Sequence, residues 1–111
     1  MLEPVHRMRS SEDFRVTVRR GARAAQPTLV THMVSGESGT TSVGLVVSKS
    51  VGTAVVRNRV KRRLRHLMRR RLVDVPGGSL IVIRALPAAR DASSATLAGD
   101  LDAALTRAGA R

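Results

Sequence analysis

The segment from Lys49 to Arg71 reads KSVGTAVVRNRVKRRLRHLMRRR. Its pattern of charged and apolar residues is the strongest structural signal in the chain. Its last fifteen residues include nine Arg or Lys residues and no acidic residue. Apolar residues recur at helical spacing, and they are Val56, Val60, Leu64, Leu67 and Met68. At about 100° per residue these side chains share one face of a helix. The segment therefore predicts an amphipathic helix with one face to bury and one strongly basic face.

The basic face carries like charges that repel each other. Lys61 and Arg65 are four residues apart, as are Arg65 and Arg69, and such like-charged pairs cost a few tenths of a kcal/mol in an isolated helix. A solvated helix face usually mixes the two signs of charge, so the single sign disfavours that interpretation. A polyanion bound along the face would remove the repulsion.

Composition limits the classes of function. The chain has 111 residues and a formal net charge of +12, which predicts one domain over residues 1–111 and a polyanionic partner, with nucleic acid ahead of an anionic membrane. All but two of the 20 basic residues are arginines, which bind phosphate bidentately, although a GC-rich coding sequence would give the same bias. Cysteine is absent, which excludes disulfides and thiolate metal sites. No apolar run approaches about 20 residues and the N-terminus has no signal-peptide pattern, so a cytoplasmic protein is expected.

The elements on either side of the basic helix can be predicted from local signals. Thr53 is a candidate N-cap of that helix, and the helix ends before a turn at residues 74–78. Residues 1–9 are expected to form a mostly extended arm. The run Ser10-Ser11-Glu12-Asp13, a Ser cap followed by acids, predicts the start of a short helix that reaches about Val18 before Gly21. A final amphipathic helix begins near Ser93 or Ser94 and runs to Arg107. Strands are predicted over residues 28–34, 41–48 and 79–85, with a further short strand near residues 20–24.

The order of these elements predicts an α+β fold. The first two long strands are expected to form an antiparallel hairpin, and the β-branched run at residues 79–85 suggests a central strand. Three or four strands with helices packed on one face would make a two-layer sandwich. Burial of the apolar face of the basic helix against the sheet would leave its arginines in solvent.

The sequence contains no recognisable catalytic or metal-binding constellation. His6, His32 and His66 lack both Cys partners and the spacing of a zinc motif. The acidic residues do not form pairs typical of a metal-dependent nuclease. We therefore expect no catalytic residue and no metal ligand in the protein. If the protein takes part in catalysis, another molecule supplies the reactive centre.

The stretch VGLVVSKSVGTAVVRNRVKRRLR, from Val43 to Arg65, resembles the signature of the bacterial ribonuclease P protein component. Its most specific part is a Lys and a Gly followed by Ala-Val-x-Arg-Asn-Arg-x-Lys-Arg. Other features agree with the resemblance: Asp13-Phe14 near the start, a strand after a glycine turn, and an Ala/Leu helix at the end. The resemblance extends over essentially the whole chain.

This resemblance implies a fold, partners and two binding surfaces. The fold would be a small, mostly antiparallel sheet with helices, related to a ribosomal-protein domain, with a left-handed β-α-β crossover. The partners would be a catalytic RNA and precursor tRNA, whose 5′ leader the RNA removes with Mg²⁺. The basic helix would contact the catalytic RNA through Arg57, Asn58, Arg59, Lys61, Arg62, Arg65 and Arg69. A cleft between the first helix and the sheet would bind the single-stranded leader through Phe14, Val18, Val30, His32, Val46, Ser48, Lys49 and Ser50.

The chain departs from the family pattern at four of its positions. Val18 and His32 stand where family members often have aromatic residues, Ser50 stands where a second Lys is common, and Ser79 stands where an Asp is usual. These departures leave the face for the catalytic RNA intact and remove aromatic residues on which leader bases would stack in the cleft.

Two other functions fit the same charge pattern. One is a general or ribosomal RNA-binding protein without a role in tRNA processing, against which the Arg57-Asn58-Arg59 motif argues. The other is a membrane-active cationic helix, which the modest Val/Leu stripe and the lack of flanking aromatic residues disfavour.

Overall fold

The computed structural model describes residues 2–109, within which three α-helices and a four-stranded sheet are formed. The helices are α1 (Ser11–Arg20), α2 (Ala54–Arg71) and α3 (Ser94–Ala108), and the strands are β1 (Ala22–Ala25), β2 (Leu29–Val34), β3 (Ser42–Val46) and β4 (Leu80–Ala85). Short 3₁₀ turns occur at Pro4–His6, Leu72–Asp74 and Pro87–Arg90. The predicted order of elements is confirmed, including the short strand after α1.

Side-chain caps fix where each helix begins. Ser10 Oγ accepts a hydrogen bond from Asp13 N at 3.2 Å, and Thr53 Oγ1 accepts one from Val56 N at 3.3 Å. Ser93 Oγ accepts from Thr96 N at 3.0 Å. At the other end of α3, Gly109 adopts a φ of 117°, a left-handed conformation that glycine takes without steric cost. The predicted starts of the three helices are confirmed because each depends on a local sequence signal, whereas α1 continues to Arg20, past its predicted end near Val18.

The strand order is β1-β2-β4-β3, which makes the predicted hairpin of β2 with β3 wrong. β4 lies between them, antiparallel to β2 and parallel to β3. The β-branched run of β4 is buried on both faces of the sheet and needs a paired strand on each side, so the predicted central position is confirmed. The helix α2 thus forms the parallel crossover between β3 and β4.

One face of the sheet forms the main core with α2 and α3. Side chains of paired residues project to the same face, and this face carries Leu29, Met33, Val43, Ile81 and Ile83. They pack with buried residues of the two helices, which are Val60, Leu64, Met68, Leu97, Leu101, Ala104 and Leu105. The α2 face predicted to be buried therefore lies in the core.

The helix α1 lies on the opposite face of the sheet. It contacts β2 and β4, and the ring of Phe14 lies over Gly44 of β3. The α+β class with a mostly antiparallel sheet is thus confirmed, but not every helix packs on one face. The helices lie on both faces because successive residues of β2 point to opposite faces and nearly all are buried, so both faces of the sheet must be covered.

The N-terminal arm packs beside β3. Leu2 is buried, Met8 N donates a hydrogen bond to Val43 O at 2.9 Å, and His6 Nδ1 lies 2.8 Å from Thr41 O. Arg7 forms a parallel bridge with Val43. The arm therefore covers the edge strand of the sheet, which would otherwise present unpaired backbone groups.

Candidate RNA-binding surfaces

The solvent-facing side of α2 is the first candidate surface. Asn58, Arg59, Arg62 and Arg69 are exposed, and Arg57, Lys61 and Arg65 are partly buried. His66 and Arg70 are exposed on the same helix. The residues predicted to contact the catalytic RNA are thus brought together by one helix, because its opposite face is held in the core.

Some arginines of α2 are engaged within the protein. Arg71 binds Asp102 of α3, with Nε to Oδ1 at 2.6 Å and Nη2 to Oδ2 at 3.1 Å. Arg63 Nη1 donates to Ala92 O at 3.2 Å, and Arg59 Nη2 donates to Arg90 O at 3.4 Å. The guanidinium groups of Arg63 and Arg71 therefore brace α2 against the segment leading into α3 and against α3 itself.

Other basic side chains of α2 have no protein partner. Within residues 2–109, no ion pair or side-chain hydrogen bond is formed by Lys61, Arg62, Arg65, Arg69 or Arg70. We call these five residues the free basic set. Their repulsion is uncompensated inside the protein, so the surface is suited to a polyanion.

A groove of about 380 Å³ separates α2 from the start of α3. It is lined by Arg62, Arg63, His66, Leu67 and Ser94. The sequence did not predict this groove, because it arises from the crossing of two helices that are distant in sequence. It extends the basic face of α2 towards α3.

The second candidate surface is the cleft between α1 and the sheet. Register pairing aligns His32, Val82 and Gly44 in one row across β2, β4 and β3. The next row on the same face contains Val30, Arg84 and Val46. Phe14 lies over Gly44, so α1 covers the first row at that point. The predicted cleft residues Val30, His32 and Val46 are therefore neighbours on one face.

The remaining predicted cleft residues lie at its edges. Phe14 is partly buried, and Val18 is 38% exposed on α1. Ser48, Lys49 and Ser50 are exposed beyond the end of β3, with Ser48 Oγ 2.7 Å from Ser50 Oγ. This segment connects the cleft to the N-terminus of α2, so the two candidate surfaces are adjacent along the chain.

His32 is a buried titratable residue on the cleft face. It is 8% exposed, and its Nδ1 atom is buried without a hydrogen-bond partner in the described part of the chain. Burial lowers its pKa below the ordinary value of 6.5, and the positive charges of Arg23 and Arg84 lower that pKa further. The imidazole is therefore held neutral near pH 7.

Two arginines of this face were missed by the sequence analysis. Arg84 is exposed and lies in register between Val30 and Val46, and Arg23 is exposed and lies directly opposite His32. The available signal was the single charged residue in the run LIVIRA of β4. Only the pairing of β4 with both β2 and β3 places this arginine in the cleft, and the predicted hairpin of β2 with β3 excluded that pairing.

Ser79, the fourth departure from the family pattern, has a structural role. It is fully buried; its Oγ donates to Pro76 O at 2.6 Å and accepts from Gly36 N at 3.1 Å. These bonds hold the turn before β4 against the loop after β2. At Gly78, whose φ is 78°, a side chain would also clash with the backbone of Ser38.

The sheet, the crossover helix and the unpaired arginines together define a small basic α+β protein suited to RNA binding. Comparison with known proteins agrees: the family model described as ribonuclease P matches residues 2–109. The ribonuclease P protein component of Streptomyces avermitilis is 56% identical over 96% of this chain and 94% of its own length. That of a Nocardioides species is 51% identical over 99% of this chain and 97% of its own length.

Solved structures give the same result. The RNase P protein of Staphylococcus aureus has a TM-score of 0.83 and 25% identity, covering 94% of this chain and 95% of that one. The RNase P protein of Thermotoga maritima has a TM-score of 0.79 and 25% identity, covering 91% of this chain and 96% of that one.

The chain belongs to the ribonuclease P protein family. It is the protein subunit of a ribonucleoprotein endoribonuclease that processes tRNA, and it associates with the ribonuclease P RNA.

Proposed function

We propose that the protein binds the ribonuclease P RNA through the free basic set on α2 and binds the 5′ leader of precursor tRNA in the cleft between α1 and the sheet. The RNA performs the cleavage, and the protein positions the substrate. The observation that carries the first half is the set of unpartnered basic side chains on a helix anchored by its opposite face. Such an array gains binding free energy by releasing counterions from RNA phosphates.

We assign the metal-assisted chemistry of the reaction to the RNA and not to the protein. Among residues 2–109, no three His, Asp or Glu side chains are grouped so that they could hold a metal ion. The Mg²⁺ used by the reaction is therefore assigned to the RNA, and no catalytic step is assigned to a protein side chain.

Among residues 2–109, no helix combines the length and apolar character needed to span a bilayer.

The leader role of the cleft is supported by its position and by the exposed Arg84 on its face. In the row of Val30, Arg84 and Val46, Arg84 is exposed, Val46 is partly buried and Val30 is buried, and the segment Ser48–Ser50 after β3 leads to α2. A single strand lying in the cleft would thus reach the segment that leads into the N-terminus of α2.

The salt dependence of RNA binding tests the α2 interface. Arg62→Ala removes an unpartnered charge, so the slope of log K against log salt should flatten by about 0.7 to 0.9, the contribution of one phosphate contact. Arg71→Ala is the matched control, because Arg71 already binds Asp102 and its loss should lower the melting temperature more than the slope. Binding of the two variants to the ribonuclease P RNA is measured as a function of salt, together with their thermal melts. An unchanged slope for a folded Arg62→Ala protein would contradict the proposal.

A further inference from the structure

We propose that the cleft holds its single-stranded RNA by the phosphates, through Arg84 and Arg23 beside His32, and not by stacking on the bases. The inference rests on the proposed function, which places the precursor leader in the cleft. It assigns to this site a ligand chemistry, the phosphodiester backbone, and two residues that the sequence analysis did not name.

Arg84 occupies the middle of the cleft row that contains Val30 and Val46. Its register partners are Val30 on β2 and Val46 on β3, so an arginine lies between two apolar residues at the centre of the sheet face. It is exposed, and within residues 2–109 it forms neither an ion pair nor a side-chain hydrogen bond. An unpartnered guanidinium on an apolar surface is suited to a bidentate contact with a phosphate.

Arg23 provides a second positive charge at the same face. It pairs in register with His32, and directly opposed side chains on antiparallel strands have Cβ atoms about 4.5–5.5 Å apart. His32 is a diagonal neighbour of Arg84, because Val82 is its direct partner on β4. The three side chains therefore form a cluster of two free charges around one imidazole, without a carboxylate partner among the described residues.

The imidazole of His32 can donate a hydrogen bond to an anionic ligand. A neutral ring carries one proton, and the burial of Nδ1 without an acceptor favours the tautomer protonated at Nε2. That N–H is a donor for a phosphate oxygen. A phosphate would also relieve the positive potential that Arg23 and Arg84 create at the ring.

Stacking on the bases has little support in this cleft. Phe14 is the only aromatic residue of the chain, and the end of its ring is turned onto Gly44. His32 is too buried to offer a ring face to a base, and Val18 has no π-surface. Base stacking requires an accessible aromatic face, whereas the free charges of the cleft match the leader backbone.

The experiment uses the assembled ribonucleoprotein and compares its affinity for precursor tRNA with that for mature tRNA. Three leaders are compared: unmodified, methylphosphonate-substituted to remove backbone charge, and abasic to remove the bases. The variants are Arg84→Met and Arg23→Met, which keep most of the aliphatic stem, and Arg107→Met on the last turn of α3 is the charge-matched control. Melting curves verify that each variant is folded.

The expected result is a selective loss of precursor affinity. Arg84→Met should reduce the preference for precursor over mature tRNA by roughly tenfold or more, the effect of one charge-assisted contact. Methylphosphonates in the leader should give a similar loss with the unsubstituted protein and little further loss with Arg84→Met. Abasic leaders and the Arg107→Met control should retain the preference.

Two results would overturn the inference, and they separate it from the proposed function. If abasic leaders lose the preference while methylphosphonates keep it, the cleft binds bases and only the phosphate assignment is wrong. If the unsubstituted assembly binds precursor and mature tRNA equally, the leader role of the cleft is wrong, and the phosphate assignment is wrong with it.

Discussion

At the scale of single residues, Gly44 shows how one position shapes the cleft. A Cβ atom at Gly44 would overlap Cζ and Cε1 of Phe14. Gly44→Ala should therefore push the ring of Phe14 away and destabilise the protein by about 1–3 kcal/mol, as overpacking does in well-packed interiors. Urea unfolding measures the change, and Phe14→Leu in the Gly44→Ala background should recover part of it.

Gly99→Ala is the matched control for this substitution. Gly99 is an exposed residue inside α3, and nothing lies within 4 Å of a Cβ atom built there. The alanine should stabilise the helix by about 0.5–1 kcal/mol, because glycine loses more backbone entropy in a helix. Equal effects of the two alanines would contradict the close approach of Phe14 to Gly44.

His32 makes the stability of the protein depend on pH. Its pKa in the folded protein is lowered by burial, by Arg23 and by Arg84, so the unfolded chain binds more protons than the folded one as pH falls below about 6.5. The free energy of unfolding should therefore decrease as pH falls from about 7 through 6.5 and below, until the lowered folded pKa is reached. His32→Gln should flatten this part of the profile in melts at a series of pH values. The exposed His66, replaced by Gln in the same way, is the control.

At the scale of secondary-structure elements, local signals were sufficient for the helices and insufficient for the sheet. Ser10, Thr53 and Ser93 cap the three helices near their predicted starts, because a cap is encoded within a few residues. The pairing of β2 with β4 joins residues that are about 50 positions apart, and no short segment encodes it. The residues Arg23 and Arg84 were missed for the same reason, since only the strand order places them beside His32.

The cap of α2 is worth measuring because this helix carries the basic face. Thr53→Ala removes the acceptor for Val56 N and should cost about 1 kcal/mol of stability, whereas Thr53→Ser should cost little. The affinity of the Thr53→Ala variant for RNA should fall only at temperatures at which α2 has begun to unfold. Circular dichroism melts provide the stability, and equal losses from both substitutions would argue against a capping role.

At the scale of the whole molecule, the distribution of charge suits a polyanionic partner. The chain carries a net charge of +12, and the free basic set lies on one helix, while Arg23 and Arg84 lie across the sheet from the core. The sequence predicts the basic helix, since charge and periodicity coincide in one segment. It does not predict the positive cleft, which is assembled from two strands and exists only in the folded protein.

We expect the RNA to perform the cleavage and the basic side chains of the protein to neutralise RNA phosphates. Because no three His, Asp or Glu side chains among residues 2–109 are grouped to hold a metal ion, the isolated protein is expected not to cleave precursor tRNA at any Mg²⁺ concentration. With the catalytic RNA present, cleavage should need less Mg²⁺ than the RNA alone requires, because basic side chains replace some of the cations that neutralise RNA phosphates. Removing two charges with Arg62→Ala and Arg69→Ala should raise the Mg²⁺ concentration for half-maximal cleavage, and Arg107→Ala should leave it unchanged. The measurement is leader release over a Mg²⁺ titration at fixed monovalent salt. Cleavage at the mature 5′ end by protein free of contaminating ribonuclease would contradict the assignment of the chemistry to RNA.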